Sequence, residues 1–224
     1  MEKLRAKLIE HNSRKEWFQN IERKFWFVRQ GGDIGLFGKN SALDDILTGL
    51  LQEKRLLLQN EKFDGELESV TVAPLSMVLH QHQFYLLAKK ADGVLHTFRL
   101  SRIRSAVPRE RFEYPKPKAF SPERVFQNAF GIWVKNENPV EIEIHLSPRW
   151  RTFVSKHKWH SSQRVRPTNQ KLELTVTCVP CPELEQWILS FGDEAEVVRP
   201  QDLRERIRAK AEGMARKYTA ALSK

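Results

Sequence analysis

The sequence holds only two cysteines, Cys178 and Cys181, in 224 residues. That excludes the disulfide framework of a small secreted domain. No run approaches the roughly 18 apolar residues that cross a membrane. The N-terminus from Met1 to Trp17 is charged throughout and has no apolar signal-peptide core. There is no phosphate-cradling G-x-x-x-x-G-K-[ST], no G-x-S-x-G nucleophile elbow and no H-E-x-x-H. Acids are the minority charge, with 28 Asp and Glu against 38 Lys and Arg, a net +10. Together these absences predict a cytoplasmic globular protein that is not an enzyme, holds no cofactor or metal and has no membrane partner. The basic surplus points instead to a polyanion such as nucleic acid.

The positive charge is segregated. Arg99 to Lys118 carries seven basic residues against Glu110 and Glu113, and Arg149 to Lys171 carries seven with no acid. Ser41 to Glu68 is the reverse, with seven acids and three bases, so the chain can present one cationic face.

Residues 1–29 read as helix, with Trp17, Ile21, Phe25 and Val28 at helical spacing, ended by Gly31-Gly32. A second helix is expected from Ser41, whose Asp44 and Asp45 suit the positive end of the dipole. Residues 56–107 read as short strands: Val70–Leu75, Phe84–Lys89, Val94–Leu100 and Arg102–Val107. Asp92-Gly93 between two of them is a hairpin signal, and Pro74 must sit at an edge or a bulge. Strands at this spacing predict a small barrel. Pro108 to Pro122 reads as a proline-stiffened linker.

The second half alternates more plainly. Val140, Ile142, Ile144 and Leu146 mark a half-buried strand, and so do Leu172, Leu174, Val176 and Cys178. Helices are expected after Ser147-Pro148, from Pro182 to Gly192 and from Pro200 onward. The first of these carries Trp150, Phe153, Val154 and His157. Short strands at Arg164–Arg166 and Ala195–Val198 complete a β-α-β-β-α-β order, which predicts a ferredoxin-like unit.

Candidate chemistry is sparse. Cys178-Val179-Pro180-Cys181 has dithiol spacing, but Cys178 continues the apolar alternation and reads as core. His80 and His82 share a strand face, and His157 and His160 lie a helical turn apart. Neither pair has the further ligands a metal needs. The informative residues are Tyr85, Arg99 and Arg102, a phenol and two guanidiniums on consecutive strands. Guanidinium forks grip phosphates and an aromatic ring stacks a base. Ser76 adds a hydroxyl from a neighbouring strand, and Arg104 extends the cationic track. Arg149, Arg151, Lys156 and Lys158 are secondary candidates for backbone contacts, with Trp150 read as core and Trp159 as a stacking candidate.

Phe84-Tyr85-Leu86, followed by Phe98-Arg99-Leu100-Ser101-Arg102-Ile103 and preceded by Val72-Ala73-Pro74-Leu75, resembles the WYL domain. Phe84 replaces the usual Trp, and Ser101 stands where an Asp is usual. Glu183 to Gly192 and Val197 to Arg204 resemble the C-terminal WCX extension of the same regulators. The resemblance implies an α+β chain. A helical connector would occupy 1–42, a Sm-like or SH3-like β-barrel (WYL) 43–114 and a linker 115–138. A ferredoxin-like WCX domain with a C-terminal helix would occupy 139–224. It implies a bacterial transcriptional regulator that senses single-stranded DNA or another oligonucleotide or nucleotide effector, commonly as a homodimer. Residues 1–42 are too short for the usual winged helix-turn-helix, so such a domain is expected on a partner or fused to the chain. The alternatives are a general single-strand binder, a protein-interaction module and a thiol oxidoreductase.

Overall fold

In the computed structural model, residues 41–220 are described. The helix expected over 1–29 lies outside them. The chain is α+β, with two antiparallel sheets and, among the described residues, five α-helices. All the described residues belong to one compact unit.

Helix α1 (Ser41–Leu51) leads into five strands: β1 (Lys54–Glu61), β2 (Leu67–His80), β3 (Gln83–Lys90), β4 (Leu95–Arg99) and β5 (Ile103–Arg111). They form one sheet in the order β4-β3-β2-β1-β5. Alternation drives one face inward. Leu56, Leu58, Val72, Leu86 and Phe98 are buried there, and α1 closes over them with Ala42 and Ile46. No ladder joins β4 to β5 among the described residues, so the sheet is open where the sequence predicted a closed barrel.

β2 is far longer than Val70–Leu75. Its first half pairs with β1 and its second half with β3, and the register shifts between Pro74 and Ser76. Proline has no N–H for the ladder, and the irregularity falls where it sits. The Asp92-Gly93 turn forms as expected, with Gly93 at φ +86° and Asp92 Oδ1 accepting from the Val94 N–H at 2.8 Å. β5 continues through Pro108 to Arg111, so the expected linker begins later than Pro108. Pro108 is tolerated because β5 is an edge strand.

The connecting segment is packed rather than extended into solvent. The Phe112 N–H bonds Glu53 O at 2.9 Å, and Tyr114 Oη donates to Leu75 O at 2.8 Å. A short helix, α2 (Pro122–Phe126), follows, and then buried Ala129, Phe130 and Ile132.

The second sheet contains β6 (Val140–Leu146), β7 (Arg164–Pro167), β8 (Leu172–Cys178) and β9 (Ala195–Arg199), in the order β7-β8-β6-β9. Helices α3 (Arg151–Lys156), α4 (Pro182–Leu189) and α5 (Gln201–Ala220) complete the chain. Ile142, Ile144, Leu174, Val176 and Cys178 face Leu184 and Ile188 in one core. Trp150 joins it as expected: its ring meets Phe191 edge-on at 5.0 Å and its Nε1 donates to Glu194 at 2.6 Å. No described helix is long and apolar enough to cross a membrane.

Candidate functional site

The β3–β4 hairpin sets Tyr85 directly opposite Arg99. One short 3-10 turn later, Leu100–Arg102, comes Arg102. All three side chains line a single cavity of about 620 Å3. That is the size of a small-molecule pocket. Its walls come from both halves of the chain. The β1–β2 hairpin contributes Asn60 to Phe63, the connecting segment Ile132 and Trp133, and α4 Pro182 and Gln186.

The lining is cationic and aromatic. Arg99, Arg102 and Lys62 outnumber the one carboxylate, Glu61. Lys62 is held more firmly protonated than usual by its hydrogen bond to Glu66. The Arg102 guanidinium lies over the Phe63 ring, 5.5 Å from its centroid. Phe63 is 91% exposed and Trp133 46% exposed, so both present ring surface to a ligand. Asn60 Oδ1 is buried without a hydrogen-bond partner, an unmet acceptor in the cavity wall.

Other candidates lie elsewhere. Ser76, on β2, pairs with Leu87 of β3 and does not line the cavity. Arg104 Nε donates to Glu61 at 2.7 Å, which commits that cation to neutralising the cavity's carboxylate. Arg149 pairs with Glu194 at 2.9 Å, and Arg151 donates to Thr168 O at 3.0 Å. Lys156 ends α3 and Lys158 follows it, both exposed, and none of these four reaches the cavity. Trp159 packs on Trp187 with ring centroids 4.9 Å apart.

The histidine pairs do not form as the sequence suggested. His82 is in the β2–β3 turn at φ +63°, off the strand that carries His80. α3 ends at Lys156, so His157 and His160 are not one helical turn apart. His157 Nδ1 caps Phe153 O at 2.8 Å instead. Among the described residues no group of three or more His, Cys, Asp or Glu is placed to hold a metal. Burial, with a contribution from Cys181, pushes the Cys178 thiol up to about 12. Burial also raises Cys181, whose Sγ donates to Phe130 O at 3.3 Å. Neither thiol has the low pKa of a reactive cysteine.

Asn60, Phe63, Trp133 and Gln186 escape sequence reasoning. An aromatic residue beside the turn-forming Asp64-Gly65 was the one available signal, and it pointed only to a hairpin tip.

The WYL domain profile matches residues 41–108, and the WCX domain profile matches residues 138–215. The chain belongs to the WYL-domain family. Its WYL domain precedes its WCX domain, in the order the motifs implied. A search of curated protein sequences gave no match. Two solved structures are similar to it. One is proteasome accessory factor B/C (PafBC) of Arthrobacter aurescens, at 18% identity and TM-score 0.37, with 84% of this chain covering 28% of that one. The other is a CRISPR Cas-related protein, at 12% identity and TM-score 0.53, with 80% of this chain covering 51% of that one. This WYL–WCX chain thus spans at most about half the length of these relatives, and the second likeness speaks to the fold alone.

Proposed function

We propose that this WYL–WCX chain is the ligand-sensing module of a bacterial transcriptional regulator, and that its effector is a nucleotide or single-stranded oligonucleotide. The observation that carries this is the convergence of Tyr85, Arg99 and Arg102 on one cavity. The two guanidiniums take phosphate or base edges, and Tyr85 stacks or hydrogen-bonds. Phe63 and Trp133 add ring surface for further bases.

The cavity has walls from both domains. A ligand seated there binds some arrangements of WYL and WCX better than others, and so shifts their population. A DNA-reading domain, fused or on a partner, receives that shift, with a homodimer as the assembly. The role is regulatory rather than catalytic. Domain limits of 43–114 and 139–224, around a linker of 115–138, fit this division. The order β7-β8-β6-β9 supports a ferredoxin-like topology, and the order β4-β3-β2-β1-β5 supports a Sm-like strand order in an open sheet rather than a closed barrel.

The test is fluorescence anisotropy with labelled single-stranded DNA, RNA, duplex DNA and cyclic oligonucleotides. The expected result is preferential binding of a single-stranded or cyclic species that is lost in Arg99→Ala/Arg102→Ala. Undiminished affinity in that variant overturns the site. Equal, sequence-blind binding with no change in domain or dimer geometry makes the chain a general single-strand binder. Absence of binding at low salt makes it a protein-interaction module.

A further inference from the structure

Glu183 stands in the first turn of α4, between Pro182 and Gln186, which both line the cavity. Its own side chain is only 17% exposed and does not line the cavity. Three donors converge on it. His80 Nε2 donates to Oε1 at 2.7 Å, and Gln81 Nε2 donates to the same oxygen at 3.0 Å. The Ile132 backbone N–H donates to Oε2 at 3.0 Å. The first two come from the end of β2 and the β2–β3 turn of the WYL sheet, and the third from the cavity wall that carries Trp133.

Two backbone features fit this joint. Gln81 and His82 both adopt left-handed backbone, at φ +46° and +63°. That turn type favours Asn-Gly, so two larger residues hold it under strain, and Gln81 reaches Glu183 from it. Gly131 has φ +75°, and a Cβ there would overlap the Glu183 carboxylate. Only glycine leaves room for the group that fixes the next residue, Ile132.

We infer that Glu183 is a positioning residue: by tying the β2–β3 turn and the Ile132–Trp133 segment to α4, it sets the distance between the two walls of the cavity. It touches no ligand. This role rests on the cavity being the effector site. A carboxylate accepting three hydrogen bonds is worth more than neutral contacts. Glu183→Gln keeps the shape but removes the charge and one acceptor.

The test uses the full chain, with a fluorescein-labelled oligothymidylate as probe. Amide hydrogen exchange at Ile132 is followed in the free protein, with the amides of Ile142 and Leu174 as the check on folding. Glu183→Gln is expected to speed Ile132 exchange and weaken the probe by about tenfold, leaving the core amides protected. His80→Ala loosens the same joint from the WYL side. It is expected to weaken the probe by a smaller factor, and it serves if Glu183→Gln loses core protection. A tight probe complex with unchanged affinity in both variants overturns the positioning role alone. Unchanged Ile132 exchange in Glu183→Gln does so too. A wild-type protein that ignores the probe overturns single-stranded DNA as the occupant of the cavity, and this role with it.

Discussion

Tyr85 and Arg99 are direct cross-strand partners on antiparallel β3 and β4, so a phenol and a guanidinium project from the same face, 14 positions apart in sequence. The adjoining pair, Leu86 and Phe98, faces the other way into the core. The register that buries one pair therefore presents the other. A slip of one residue would put Arg99 in the core, so the site is as firmly specified as the sheet itself.

Arg99 and Arg102 act on charge, and charge has a salt signature. Removing both is expected to weaken a single-stranded oligonucleotide by about 10- to 150-fold, at roughly 1.5–3 kcal/mol in all for the charge-assisted contacts. The slope of log affinity against log salt is expected to become shallower by about 1.4, for two lost phosphate contacts at about 0.7 each. Anisotropy titrations at several salt concentrations check both. A large loss of affinity with an unchanged slope would mean the arginines do not meet phosphates.

Phe63 and Trp133 act by stacking, which salt hardly touches. Each is expected to cost about 1–3 kcal/mol of oligonucleotide binding when replaced by alanine, with the salt slope preserved. Phe63→Ala is expected to leave thermal stability unchanged, because a ring 91% exposed buries little against the fold. A melting curve beside the binding isotherm separates the two effects. Unchanged oligonucleotide affinity in Phe63→Ala would remove Phe63 from the stacking track.

What the residues disclosed in advance was local. The Asp92-Gly93 turn and the alternation of Ile142, Ile144 and Leu146 each depend on a few neighbouring positions, and each formed as read. The meeting of Tyr85, Arg99 and Arg102 on one cavity was legible because one hairpin and the short turn after it bring them together. Trp133 and Gln186 were not, because nothing near them in sequence indicates that a wall from the far half of the chain meets Tyr85. The same limit hid Glu183, which is 103 positions from its partner His80. Ser76 and Arg104 were drawn in by adjacency. Ser76 lies beyond a register shift, and Arg104 is claimed by Glu61. Pro108 misled because proline stops most strands, but an edge strand accepts it.

Cys178 gives an alkaline prediction. Its thiol titrates near 9 when unfolded and is pushed up to about 12 in the native core. A raised native pKa means full stability below the unfolded value and loss as pH rises toward the native one. Between these values the unfolded chain releases a proton that the native chain keeps. Stability is expected to fall above about pH 9, with this thiol contributing a slope of up to about 1.4 kcal/mol per pH unit. Cys178→Ala is expected to flatten that part of the profile in urea titrations. At neutral pH iodoacetamide is expected to label Cys178 and Cys181 only after unfolding. Rapid labelling of the native protein would restore a reactive-thiol role.

Glu185 gives the acid counterpart and bears on the C-terminal helix. It is buried on α4, 8% exposed, yet Lys210 Nζ and Arg206 Nε of α5 donate to it at 2.6 and 2.8 Å. Burial alone would raise its carboxyl. The hydrogen bonds from Lys210 and Arg206 outweigh burial and hold it below the ordinary value. A depressed native pKa contributes stability above the unfolded value, and that stability is lost as pH falls through the native one. The α4–α5 contact is therefore expected to hold at neutral pH and to loosen as pH falls below about 4.5, the carboxyl's ordinary value, toward its depressed native one. Arg206 and Lys210 are each more than 40% exposed, so water screens the pair. Glu185→Gln is expected to cost about 1 kcal/mol rather than the larger sum for a fully buried triad. Hydrogen exchange should show the loss first in α5 amides from Arg206 onward, while β6 and β8 stay protected. Uniform acid loss across both sheets and α5 would show that this contact does not govern the helix.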